Sequence, residues 1–421
     1  MKKTITVALA VGMSLAGLSL TACSSSASGP ASENLDSRGP ITYVQGKDNN
    51  GVVPQIIAKW NASHPNEQVT LKEQSTEADQ QHDDLVQNFQ AKNSNYDVVS
   101  VDVVWTSEFA AKGWLQPLTG SMALPDQDKI IKAGIASATY NGTQYAAPVS
   151  SDGGLLYYRS DLIQTPPTTW DEMMADCKIA QANNIGCYAG QFAQYEGLTV
   201  NVAEQINGAG GSVVAKDGVT PTLDTDQAKK AMQQLVDAFN DGNIPQSALT
   251  YKEEDGRASF EAGQLLFLRN WPYMYSLAST DATSVVKGKF AVAPLVTAST
   301  LGGHSAGISV YSKHKATAKD FLTFLQSEDI QKNYLVLKAS NAPVLASIYD
   351  DPDVIAAAPY MPYLKASIEN AVPRPVTPYY PAVTQAIQQN SFTLLSDPKN
   401  NTVADALNNM QNAIKTATSG K

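Results

Sequence analysis

Histidine and cysteine are scarce in this sequence, at four and three among 421 residues. Zinc sites and iron–sulfur clusters draw on those residue types at fixed spacings. Here His64, His82, His304 and His314 share no ligand spacing, and there is no C-x-x-C pair. No metal and no cofactor is expected. No long basic run is present either, and 40 acidic residues outnumber 30 basic ones for a formal charge of −10. Phosphate backbones need a positive surface, so nucleic acid is excluded as the main partner. An internal repeat is also lacking, which argues against an adhesive or structural array.

What remains is globular composition: 43% hydrophobic, 17% charged and 8% aromatic residues. The length exceeds what one hydrophobic core usually serves, so two domains or lobes are expected. Residues 1–22 read as a secretory signal. Lys2 and Lys3 precede an apolar run, Ile5 to Leu20, that is too short and small in its side chains for a membrane span. Leu20-Thr21-Ala22-Cys23 resembles the lipobox at which bacterial lipoproteins are cut and then diacylated on the cysteine. A signal peptide with a chance cysteine is the alternative. Two fatty chains anchor far better than one, since each buried methylene contributes about 0.8 kcal/mol. Residues 23–40 are rich in Ser, Ala, Gly and Pro and read as a flexible tether behind Cys23. An exported chain meets an oxidising compartment, where Cys177 and Cys187, ten residues apart, read as a small-loop disulfide; a pair of buried free thiols is the alternative.

The body opens with alternating strands and helices. Ile41 to Val44 is β-branched and aromatic, and Asp48-Asn49-Asn50-Gly51 is turn chemistry. Val53, Ile56, Ile57 and Trp60 then follow at helical spacing until His64-Pro65. Val69 to Leu71 is a second strand, Asp83 to Ala91 a helix, and Tyr96 to Val101 a nearly continuous apolar strand. This order predicts an open, mostly parallel sheet, whose ligands bind at the carboxyl ends of its strands. Asp48, Asn49 and Asn50 stand at the first such end, Ser75, Glu77 and Asp79 at the second, Asp102 and Trp105 at the third. Further on, Gly154 to Tyr158 is a strand, Asp226 to Asn240 an amphipathic helix, and Trp271 sits beside Pro272, where a helix would not continue.

Several segments resemble the extracellular solute-binding proteins of bacterial ABC transporters for sugars, in particular the group for trehalose, maltose and related α-glucosides. They are VSVDVVWTSEFAAKGWLQPL, YAAPVSSDGGLLYYRSDL, QYEGL, FEAGQLLFLRNWPY and NAVPRPVTP, in the family's order from about residue 95 to 380. The resemblance implies an α/β fold of the periplasmic-binding-protein type: two lobes, a ligand cleft between them, and three hinge crossings near 148–151, 300 and 345. Lobe one would be residues 41–149 plus 300–345, and lobe two 150–299 plus 346–421, including a last helix from Val403 to Ile414. It further implies sugar contacts from Asp102, Asp152, Trp271 and Arg374, and from Glu253 or Glu254. Tyr195, Glu196, Gly302 and Gly303 are second-rank candidates, and Asp48, Asn50 and Asp79 rest on a looser alignment. The implied partners are an α-linked disaccharide, an ABC permease with its cytoplasmic ATPase, and the membrane through the lipid anchor, with the protein itself a monomer on the outer face.

A sugar is uncharged, ringed with hydroxyls and apolar on its C–H faces. Carboxylates accept its hydroxyls, amides both donate and accept, Arg donates in a fork, and aromatic rings cover the C–H faces. A glycoside hydrolase would gather the same residues, with two carboxyl groups roughly 5–5.5 or 6.5–9.5 Å apart. Gly303-His304-Ser305-Ala306-Gly307 also matches the G-x-S-x-G nucleophile elbow. Its surroundings argue against that chemistry: Ile308 to Tyr311 reads as a strand, not a helix, and no acid lies between Ser305 and His314, the only later histidine.

Overall fold

The computed structural model describes residues 34–419, so the signal, Cys23 and most of the tether lie outside the described residues. Packed structure begins at Leu35, earlier than expected. Leu35 lies on an apolar cluster, and Arg38 pairs with Glu67 at 2.9 Å and Asp320 at 2.8 Å. An apolar side chain and two facing carboxylates bind residues 35–40 to the body, where the composition had suggested a leash.

Among the described residues eleven strands form two sheets and a small hairpin. The strands β1 (Ile41–Gln45), β2 (Val69–Glu73) and β3 (Val98–Asp102) run parallel in the order β2-β1-β3. The hairpin pairs β4 (Thr139–Tyr140) with β5 (Thr143–Gln144). The first sheet is completed by β6 (Ala146–Pro148) and, from far downstream, β11 (His304–Ile308), which lies antiparallel between β3 and β6. Both faces are covered. Ile41, Tyr43 and Val98 point into one apolar cluster with Trp60 and Phe321, while Val44, Val99 and Val101 point into another with Phe89, Phe109 and Trp114. That double burial is why the third strand reads as continuously apolar. Trp105 belongs to this second core.

The second sheet runs β10-β7-β9-β8, from β7 (Leu155–Arg159), β8 (Gly186–Ala189), β9 (Leu265–Asn270) and β10 (Phe290–Pro294). Only β8 and β9 are parallel; β7 is antiparallel to both its neighbours. The expectation of a mostly parallel sheet therefore holds for β2-β1-β3 alone. Helix Trp170–Ala182 starts on a capping box between Thr169 and Glu172, and Asp226–Asn240 starts on Thr225, whose hydroxyl accepts the Ala228 N–H at 3.2 Å. The disulfide Cys177–Cys187 ties the first of these helices to β8. The C-terminal helix Val403–Thr418 buries Ala406, Leu407, Met410 and Ile414 in the core of this half. The helix read from Asp83 begins earlier, at Ala78.

Three stretches of chain knit the halves together. Asp152 and Gly302 exchange backbone hydrogen bonds at 3.0 and 2.8 Å, joining the stretch before β7 to the one before β11. Gln331, fully buried in the third stretch's approach, donates to the Val149 carbonyl at 3.0 Å and accepts the Val344 N–H at 2.8 Å.

Candidate functional site

Between the two sheets lies a cavity of about 620 Å³, within the range of small-molecule sites, roughly 300–1,000 Å³. One wall is built by the carboxyl ends of β1 and β3 and the loop after β2: residues 45–50, 76–78, Ser100 and Asp102. The other wall is built by two helix starts and the end of β9. Tyr195 and Glu196 open helix Glu196–Gly208, Lys252 to Glu254 open helix Glu253–Glu261, and Trp271 follows β9. The floor is the crossing region with Ser150, Asp152, Gly302, Gly303 and Asn341. Negative side chains at helix N-termini are favoured by the exposed N–H groups and the helix dipole, which offsets part of the cost of burying these acids.

Arg374 is 4% exposed and bridges the walls. Its Nη2 donates to Asp102 Oδ1 at 3.0 Å and its Nη1 to Glu196 Oε1 at 2.5 Å. Glu196 also accepts the Tyr380 hydroxyl and, at 2.6 Å, that of Thr384. Burial raises the Glu196 pKa against the pull of Arg374, and burial opposes the Arg374 charge less than Asp102, Tyr380 and Glu196 favour it, so the guanidinium stays charged. A surface salt bridge for Arg374 is thus excluded. Asp152 lies partly open on the floor. Burial pushes its carboxyl up to about 6, opposed by His304, the Ala342 N–H and Ser150. Burial likewise raises Glu253, whose Oε2 accepts the Tyr195 hydroxyl at 2.7 Å.

Trp271 lies with its benzo edge against Gly302: a Cβ on that glycine would come within 2.8 Å of the ring. Gly303 has φ +107, and a Cβ there would meet the Ser150 carbonyl at 2.3 Å. Both glycines are therefore fixed by close approach of ring and backbone.

Of the thirteen binding candidates, twelve line the cavity: Asp48, Asn50, Asp102, Asp152, Tyr195, Glu196, Glu253, Glu254, Trp271, Gly302, Gly303 and Arg374. Their polar atoms are not equally free. The Asp48 carboxylate accepts the N–H groups of Asn50, Gly51 and Val53, fixing the turn before helix Val53–Ser63. Asn50 donates across the cleft to Ser276 Oγ at 2.9 Å and, within its own half, to the Ala339 carbonyl at 2.7 Å. Glu254 is held by Arg257 at 2.7 and 2.9 Å, by Tyr273 at 2.5 Å and by Asn49 of the opposite wall at 3.1 Å. Asp79 is the exception. It lies outside the lining, and its carboxylate accepts the Glu196 N–H and the Gln388 amide, so it caps a helix of the opposite half. His304, Lys252, Tyr273, Gln45 and Gln81 also line the cavity. In the sequence His304 stands out only for metal or nucleophile chemistry. Its direct strand partner on β3 is Asp102, a pairing visible only once β11 is placed. In the G-x-S-x-G segment Ser305 is 1% exposed inside β11, with no turn into a helix, so it is no nucleophile elbow.

Two lobes flanking a cavity ringed by charged and amide side chains, joined by crossing stretches, define a binding protein of the periplasmic type. The sequence agrees. Residues 46–332, more than half of the chain, match the family of bacterial extracellular solute-binding proteins, and the chain belongs to that family. It is 32% identical to a probable ABC transporter-binding protein of Deinococcus radiodurans over 74% of this chain and 77% of that one. It is 24% identical to an arabinooligosaccharide-binding protein of Bacillus subtilis over 65% and 66%. Among solved structures, maltose-bound MalE3 of T. maritima superposes with a TM-score of 0.85 at 34% identity, covering 90% of this chain and 99% of that one. The protein is a sugar- or solute-binding component of an ABC transporter and not an enzyme. Among the described residues no helix is long and apolar enough to cross a membrane.

Proposed function

We propose that the cleft captures an α-linked disaccharide of the maltose or trehalose type and hands it, unchanged, to a membrane permease driven by a cytoplasmic ATPase. The observation that carries this reading is the cavity itself, in which acids, amides and one indole converge from both lobes; the 34% identical relative is a maltose complex. Asp102, Asp152 and Glu253 accept sugar hydroxyls, Arg374 orients Asp102 and Glu196, and Trp271 covers a C–H face. Hydrogen bonds to charged groups are worth about 1.5–3 kcal/mol each, enough to set specificity without a covalent step. Tyr195, Glu196, Glu254, Gly302 and Gly303 shape the walls, and Asp48, Asn50 and Asp79 brace them.

In this reading lobe one comprises residues 41–149 plus 300–345 and lobe two residues 150–299 plus 346–421. The protein is a monomer, anchored outside the cell through a diacylated Cys23. The test is a thermal-shift screen over maltose, trehalose, longer maltodextrins, arabino-oligosaccharides and simple polyols. The right ligand at 100 times its Kd stabilises the fold by about 2.7 kcal/mol. A panel in which polyols or arabinosides shift the midpoint and α-glucosides do not would overturn the assignment.

A further inference from the structure

Behind the indole lies an ion pair with no part in the site as described so far. Arg269, 1% exposed, stacks its guanidinium over the Trp271 ring at 3.8 Å from the centroid. The same guanidinium is gripped in a fork by Glu204, Nε to Oε2 at 2.9 Å and Nη2 to Oε1 at 2.6 Å, and Glu204 is 2% exposed. Glu204 Oε1 also accepts the N–H of Thr300 at 3.1 Å. Thr300 lies two residues before Gly302, the residue against which the indole rests. Contacts thus run in a closed circuit from Trp271 through Arg269 and Glu204 to the second crossing stretch and back to Trp271. The first crossing stretch meets the same pair: a Cβ on Gly154 would come within 3.0 Å of Arg269 Nη2 and 3.1 Å of Glu204 Oε1.

A fully buried ion pair is a poor device for stability alone, because desolvation offsets most of its attraction. A planar fork that stacks and bonds at once is a good device for fixing geometry. We propose that Glu204 and Arg269 are positioning residues that couple the Trp271 platform to the hinge, so that a sugar seated on the indole biases the crossing stretches toward closure. This rests on the reading of the cleft as a saccharide site. Neither residue touches the sugar; they act through Trp271 and Thr300.

The test compares wild type, Arg269→Lys, the double variant Glu204→Gln/Arg269→Met, and each of these with Trp271→Ala. Maltose and trehalose are the probes, followed by calorimetry and small-angle scattering. Arg269→Lys keeps the charge and loses the planar stack, and the double variant removes both charges together, so at least one is expected to fold. Coupling predicts about tenfold weaker binding and a smaller sugar-induced compaction, with both effects vanishing in the Trp271→Ala background. A lower unfolding midpoint with unchanged Kd and unchanged compaction would reduce the pair to a structural role and overturn the proposal. Failure of wild type to bind either sugar would strike the saccharide reading instead, and so is told apart from failure of the coupling.

Discussion

Asp152 is a site carboxylate whose charge is open to change near neutral pH. Burial lifts its pKa from the ordinary 3.8 to about 6, so between those values the folded protein holds a proton that the unfolded chain has released. Folding stability from this group therefore falls as pH rises from about 4 through 6, and above 6 the ionised carboxylate is a standing cost. On the proposed reading, sugar hydroxyls donate to Asp152 and favour its ionised form, which reverses the trend for binding. Affinity is expected to weaken about tenfold between pH 7 and pH 5, and Asp152→Asn to flatten that profile in calorimetry. A wild-type Kd constant across the range would show that Asp152 takes no sugar hydroxyl. Arg374 illustrates why residue type alone was a partial guide. Pro373 and Pro375 restrict the backbone on either side of it, but its bonds to Asp102 and Glu196 join residues 272 and 178 positions away, which no local pattern encodes. The family resemblance groups Asp102, Asp152, Trp271 and Arg374, whose segments are far apart in sequence, and all four line one cavity.

Elements close in sequence were easier to read than elements brought together late. Strands β1 to β3 carry β-branched runs bounded by turn residues, and helix Asp226–Asn240 shows its apolar face at each turn; both lie where periodicity put them. The strand β11 is His-Ser-Ala-Gly-Ile, short and small, and its partners are some 200 and 160 residues upstream. Nothing in its own five residues says that it inserts antiparallel between β3 and β6. Asp79 shows the same limit: it stands after a strand, but the helix whose N–H it accepts belongs to the other half. The disulfide is the opposite case, closing a short local loop between helix Trp170–Ala182 and β8. Neither cysteine lines the cavity. Chain-entropy loss for a loop of this size gives about 3 kcal/mol, so Cys177→Ala/Cys187→Ala is expected to unfold at lower denaturant with an unchanged sugar Kd. A changed Kd would mean that β8 transmits strain to the cleft.

At the scale of the whole molecule, the lobes are bonded to each other around the cavity rim as well as at the hinge. Asn49 donates to Glu254 at 3.1 Å, Lys252 pairs with Glu77, Asn50 donates to Ser276 at 2.9 Å, and Asp79 accepts the Glu196 N–H. These are contacts of a closed conformer. Partly exposed pairs of this kind are worth about 0.2–1 kcal/mol each, so the rim alone holds the lobes weakly. The buried Arg374–Asp102 bond at 3.0 Å also joins the walls, and a ligand shifts the equilibrium further only by its preference for the closed state. The double variant Asn49→Ala/Lys252→Ala removes about 1 kcal/mol of closed-state contact, a factor of about five in Kd. Because rim contacts resist reopening of the closed form, most of the loss belongs in the dissociation rate. Both side chains also line the cavity, so weaker binding by itself would not separate a latch from a lost sugar contact. Scattering does. A latch predicts that the variant without sugar has a larger radius of gyration than wild type without sugar, and that the two become equal at saturation. A lost sugar contact leaves the sugar-free radius where it was, and that result would remove the rim from the closing mechanism.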